Sequence, residues 1–240
     1  MFQVGSQWNP LQARLRELIA KRESFKEAMQ LALTLHGIVH CSTVSGTPEK
    51  TVMDDVWENL SEDAFYTMPT IKDVTVAWNI WHVTRIEDLT ANILIANGPQ
   101  VLNGAWRKKL NTSVTDTGNA MTDEEIIALS RELDGEALKA YRNAVGLRTR
   151  EILQALKPED LGRKFSKNQV NRIFQEGGVT THPDSRWLLD FWGKKNVTGI
   201  LLMPITRHQM GHLNDCFKLK NACARNAKKQ AGNSLASRPL

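Results

Sequence analysis

In this 240-residue chain, two histidines four residues apart, His208 and His212, stand out as candidates for chemistry; they lie in the stretch Thr206-Arg-His-Gln-Met-Gly-His-Leu213. On a helix such a pair is about 6 Å apart along the axis and about 40° apart around it, close enough for both imidazoles to bind one metal ion. Leu201 and Ile205 before the pair, and Cys216 and Leu219 after it, share its face, which turns the histidines toward a core. Core histidines satisfied by hydrogen bonds are the plainer reading of this stretch alone. The sharper reading is part of a metal site.

Other residues extend the list. His82 lies in the middle of an apolar helical stripe, Ile71, Val74, Trp78, His82, Ile86, Leu89 and Ile93, flanked by Trp78 and Trp81. The tryptophans either line a substrate pocket or pack the core. Arg85, three residues on, is a candidate for holding an anionic substrate; a salt bridge to an acid such as Glu87 competes with that role. Glu87 and Asp88 project away from His82 and read as structural. A second pair at helical spacing, His36-Gly-Ile-Val-His40, offers a proton shuttle, a metal partner or simple cavity lining. Cys216 is a candidate soft-metal ligand, with plain packing the commoner role for a buried helical cysteine. His182, before Pro183, reads as a loop residue.

Helices must position these groups, because helix signals dominate and strand alternation is nearly absent. Asn9 as N-cap and Pro10 in the first turn start one long helix that runs to about Ser42 and carries His36 and His40. A short helix is expected over 51–60. Thr70-Ile-Lys-Asp73 resembles a capping box for a second long helix to about Ala96. Thr122-Asp-Glu-Glu125 is a clean capping box for a third, to about Leu156, with a soft point at Asp134-Gly135. Residues 159–196 read as an insertion with two short helices, near Lys167–Gln175 and Asp184–Trp192. The fourth long helix starts near Asn196, and Pro204 should kink it just ahead of His208. The expected fold is all-α: a four-helix up-and-down bundle over 1–217 with a helical insertion, then a basic tail over 218–240.

Composition narrows the function. A hydrophobic fraction of 41% and a charged fraction of 24% are ordinary for a globular protein. No long apolar run marks a membrane span and no signal peptide is visible, so the expectation is a cytoplasmic protein with no membrane partner. Three cysteines without C-x-x-C give neither a disulfide framework nor a zinc finger. The net charge of +5 belongs to the tail: Lys218–Leu240 holds six Lys or Arg and no acid, and the rest has 25 basic and 26 acidic residues. Nucleic-acid binding would therefore rest on the tail, which reads more simply as a solvated end.

Depth along the bundle joins the candidates. In an up-and-down bundle the second and fourth helices run parallel. His82 and His208 lie about 16–18 Å from the same end, level with each other and facing the core. His36 and His40, on the antiparallel first helix, fall toward that end, so up to five of the six histidines are expected along one cavity. Three neutral imidazoles with an open position suit Zn²⁺, Ni²⁺, Fe²⁺ or Mn²⁺ and make a catalytic type of site. Two familiar motifs are absent. Gln209 stands where the base of a His-Glu-x-x-His metalloprotease would be, and no histidine has Glu three residues before it.

Trp78-Asn-Ile-Trp-His82-Val-Thr-Arg-Ile-Glu-Asp88 in the second long helix, with Thr206-Arg-His208-Gln-Met-Gly-His212-Leu in the fourth, resembles the DinB/YfiT-like superfamily of metalloenzymes, unrelated to the DNA polymerase of similar name. The resemblance covers roughly residues 25–217. It implies a four-helix bundle, often a homodimer, with His82, His208 and His212 as ligands of one divalent metal, Zn or Ni first and Fe or Mn next. It implies further a small-molecule substrate and, as in some members, a low-molecular-weight thiol activated by the metal for S-transfer or isomerisation. The alternative is a metal-binding stress-response or interaction protein without catalysis. His36, His40 and the insertion go beyond the family pattern and leave the substrate open.

Overall fold

The computed structural model describes residues 3–70 and 74–236. Among these residues the chain is all-helical, with one isolated bridge between Lys164 and Asn196. After a π-type turn at Val4–Trp8, α1 (Asn9–Ile19) and α2 (Phe25–Val39) form a hairpin rather than the single long helix expected to Ser42. The break falls at Lys21, whose backbone is extended, before a 3₁₀ turn at Arg22–Ser24. Folding back buries Leu15 and Leu18 of α1 beside the Ala28 and Ala32 face of α2, and Arg14 and Glu27 form an exposed ion pair across the turn.

Three short helices follow: α3 (Ser42–Ser45), α4 (Val52–Trp57) and α5 (Glu62–Tyr66). Thr51 and Asp54 cap α4 reciprocally, and Ser61 caps α5, which the sequence reading did not separate from α4. The box expected at Thr70–Asp73 has residues 71–73 outside the described residues; helix α6 (Val76–Asp88) takes Thr75 as its N-cap. A π-helical segment, Leu89–Ile95, prolongs it. A further helix that the pattern did not reveal, α7 (Gly104–Leu110), precedes α8 (Asp123–Glu132), whose Thr122–Glu125 box forms as expected. The soft point at Asp134-Gly135 is a full break. Leu133 is extended and Asp134 caps a new helix, α9 (Gly135–Ala155). The insertion forms α10 (Lys167–Gln175) and α11 (Pro183–Gly193), with exposed His182 as the N-cap of α11, its Nδ1 accepting from Asp184 N.

Asn196 caps α12 (Val197–Leu202). Pro204 then brings a π-type turn at Met203–Arg207 before α13 (His208–Ala236). Side chains collect the carbonyls around this turn. Thr206 Oγ1 donates to Leu201 O at 2.9 Å, Gln12 Nε2 to Leu202 O at 2.9 Å, and Gln209 Nε2 to Pro204 O at 3.2 Å. The kink ahead of His208 is thus held from α1 and from within the helix itself.

Helices α2, α9, α6 and α13 pack in a ring, each against the next and α13 back against α2. Trp81, Leu35, Ile80, Leu89, Tyr141 and Leu213 are among the fully buried side chains. Helix α13 continues through the boundary expected at 217–218, and Lys220 donates to the Asp55, Val56 and Glu58 carbonyls at the end of α4. No helix of the described residues is long and apolar enough to cross a membrane.

Candidate metal centre

The packing of α6 on α13 brings His82, His208 and His212 together. Their ring centroids are 5.2 Å apart for His82–His208, 4.7 Å for His82–His212 and 4.5 Å for His208–His212. One ring nitrogen from each lies within 4.8 Å of the others, a group able to hold a metal ion. His82 is 3% exposed; the other two are half-buried, so the cluster lies at the margin of the core.

Hydrogen bonds set the orientation of two rings. His82 Nδ1 lies 2.7 Å from Thr117 O, an acceptor only, so this nitrogen carries the proton and donates it. His212 Nδ1 lies 2.6 Å from Asn79 Oδ1 and donates likewise. In both, Nε2 keeps its lone pair for a ligand, the arrangement metal-binding histidines ordinarily show. His208 Nδ1 is buried and has no partner among the described residues. Burial pushes the His82 imidazolium down to about 3, with the charge of His212 adding to it. Burial, then His82 and His212, hold His208 well below the ordinary value, and burial lowers His212. All three are neutral near pH 7 and have no proton to expel before binding a cation.

The connection between α7 and α8 forms one wall. Three successive carbonyls accept from α6: Thr115 O from Arg85 Nε (2.9 Å), Asp116 O from Trp81 Nε1 (3.0 Å) and Thr117 O from His82. Gly118 lets this loop pass over Trp78. Its φ is +75°, and a Cβ there would meet Trp78 Nε1 at 2.6 Å. Trp78 in turn stacks on His82, with centroids 4.6 Å apart and planes 10° from parallel.

The expectation of up to five histidines along one cavity is replaced by two separate groups. Glu87 lies five residues past His82, about 140° around α6, and takes His36 of α2 and His40, the extended residue that ends α2, to its own side. His36 Nε2 lies 2.9 Å from Glu87 Oε1 and His40 Nε2 2.8 Å from Oε2, all fully buried. Gln209 Nε2 donates to Glu87 Oε2 at 2.9 Å, and Arg142 Nη2 donates to Gln209 Oε1 at 2.9 Å. Burial works to raise the Glu87 pKa, but the two imidazoles overcome it and keep the carboxylate ionised; burial pushes His40 down to about 3. This second group also has the ligand types for a metal. Its hydrogen bonding suits a metal-free network better: among the described residues Nδ1 of His36 and of His40 has no acceptor, so a cation on Nε2 would leave two buried N–H groups unpaired. Arg142 already supplies the positive charge opposite Glu87.

Arg85, the expected anion holder, is fully buried and committed. It donates to Asp88 Oδ2, Tyr141 Oη, Gln100 Oε1 and Thr115 O, and its acid partner is Asp88 rather than Glu87. Asp88 also accepts from the Val101 and Leu102 amides, which makes it the anchor of the turn after the π segment. Cys216 packs in the core, its thiol pushed up to about 12 by burial. Trp81 is fully buried, whereas Trp78 is half-buried beside the histidines. Residue-type reasoning missed Asn79, a polar residue on an apolar stretch three before His82 that was visible in the sequence. It missed Thr117 too, whose contribution is a backbone carbonyl with no sequence signal.

A family model described as the DinB superfamily matches residues 49–216, a span that contains His82, His208 and His212 but not His36 or His40. No curated protein matches the chain.

Proposed function

The chain belongs to the DinB superfamily, and from that premise we propose that it is a metal-dependent enzyme in which His82, His208 and His212 hold one divalent cation and leave a position open for a substrate. We read the ring of α2, α6, α9 and α13 as the four-helix bundle that carries the site. The observation that carries the proposal is the pair of Nδ1–H anchors: Thr117 O and Asn79 Oδ1 fix two imidazoles with their Nε2 lone pairs free, beside a third neutral imidazole.

A bound Zn²⁺ or Ni²⁺, with Fe²⁺ or Mn²⁺ as alternatives, would act as a Lewis acid that lowers the pKa of a thiol or water, for transfer to an electrophilic small molecule. The protein supplies the rest. Thr117 and Asn79 orient the rings, and Trp78 shields one side of His82 from water. Buried Gln209 donates to the carbonyl of Val83, next to His82, from its own position next to His208, and so ties the two ligand-bearing helices together. Gln209 is held by Arg142, Glu87 and two backbone carbonyls, which leaves it no part in moving protons at the site.

The test is elemental analysis of the purified protein, before and after exposure to Zn²⁺, Ni²⁺ and Mn²⁺. About one metal per chain, lost in His208→Ala, is the expected result. A chain that stays metal-free after all three exposures overturns the proposal. Turnover is then sought by supplying low-molecular-weight thiols with electrophiles to the loaded protein.

A further inference from the structure

A cleft lined by no residue of either histidine group lies on the outer side of α2. It has a volume of about 770 Å³ and opens between α2, the α3–α4 connection and α9, a size in the range of small-molecule pockets. Its lining mixes Leu33, Ile38 and Val52 with polar groups, among them the amides of Gln30 and Gln154, the ammonium of Lys50 and the guanidinium of Arg150.

Arg150 is what makes this cleft unusual. Every other buried or half-buried arginine among the described residues has a carboxylate for company: Asp88 for Arg85, Asp160 for Arg163, Glu176 for Arg172, and Glu87 across Gln209 for Arg142. Arg150 has none. Among the described residues its one hydrogen-bond partner is the carbonyl of Leu33, reached by Nη1 at 2.9 Å. Burial alone perturbs it, with no acid in reach to offset the cost. Glu49 and Asp55 line the α4 side and form no ion pair with it. A half-buried guanidinium held by one edge, with its other donors unspent, is the arrangement that recognises planar oxyanions in bidentate fashion.

We propose that this cleft binds a small organic oxyanion, a carboxylate or a phosphate, on the free edge of Arg150, with the body of the ligand hydrogen-bonded by the amides and hydroxyls of α2 and α9. The site is independent of the metal centre, and neither reading requires the other.

Calorimetric titration of the full chain with succinate and, separately, inorganic phosphate tests this and tells the two chemistries apart. Saturable binding of at least one, weakened roughly tenfold or more in Arg150→Gln and unchanged in Arg148→Gln, is the expected result. Glutamine keeps the aliphatic stem and a neutral amide but removes the guanidinium fork; equal melting temperatures for the variants and the native chain establish that the loss is local. Crystals of the native protein soaked with the tighter ligand give a readout that needs no variant, with the anion expected on Arg150. Absence of saturable binding by both probes, equal binding by Arg150→Gln, or an anion located elsewhere overturns the proposal.

Discussion

At the residue scale, the two histidine groups differ in what their second ring nitrogens do, and that difference is measurable. Asn79→Ala removes the acceptor of His212 Nδ1–H without touching a proposed ligand. Metal affinity, read by competition with a chromogenic chelator, should fall about 10- to 100-fold, and Asn79→Asp should restore most of it. Glu87 should show the opposite pattern. Glu87→Leu leaves the donors of His36 and His40 without an acceptor, takes one acceptor from Gln209 and leaves Arg142 without its counter-charge. Stability should drop by about 3–5 kcal/mol in urea denaturation, while metal stoichiometry is kept in whatever fraction folds. A variant that loses the metal at full stability would reverse the assignment of the two groups.

At the element scale, close approaches explain where glycines and breaks fall. Helix α9 packs on His40 through Gly146, where a Cβ would meet His40 Nδ1 at 2.5 Å and Val44 Cγ1 at 3.0 Å. Gly146→Ala should therefore destabilise the fold by about 1–3 kcal/mol, despite alanine's better helix propensity, with a lower urea midpoint at unchanged slope as the readout. Helix α13 makes a second such link. Lys220 gathers three carbonyls at the C-terminal end of α4, so the first turns past residue 217 are part of the packed structure. Lys220→Met should cost about 1 kcal/mol, and truncation after Phe217 should cost more, both visible as lowered melting temperatures.

At the scale of the whole molecule, the buried neutral histidines make stability depend on pH. In the metal-free protein His40 and His82 titrate at about 3, against 6.5 when unfolded. The unfolded chain takes up protons first as pH falls, so stability is full above about pH 6.5 and declines from there toward pH 3. The slope should approach about 1.4 kcal/mol per pH unit for each such histidine, and added Zn²⁺ should raise the melting temperature at pH 7, by an amount that grows with the logarithm of free metal once the site is filled. Denaturation from pH 7.5 to 4.5 checks the sign; stability that is flat across that range would mean these imidazoles are already solvated. By itself the sequence determined the helical class, the cap at Thr122, a helix start near Asn196 and the break at Pro204, because these follow from 3.6-residue periodicity and local capping chemistry; the grouping of His82 with His208 and His212 came from their equal depth in an assumed bundle and from the family resemblance. It did not reveal the hairpin of α1 and α2, since a helix that folds back keeps the same apolar spacing as one that runs on. Nor did it separate His36 and His40 from the other three, place Arg85 on Asp88, or supply Thr117. Those were decided by the rotation of helices about their axes and the path of a loop backbone, which depend on side chains packed from other helices rather than on neighbours along the chain.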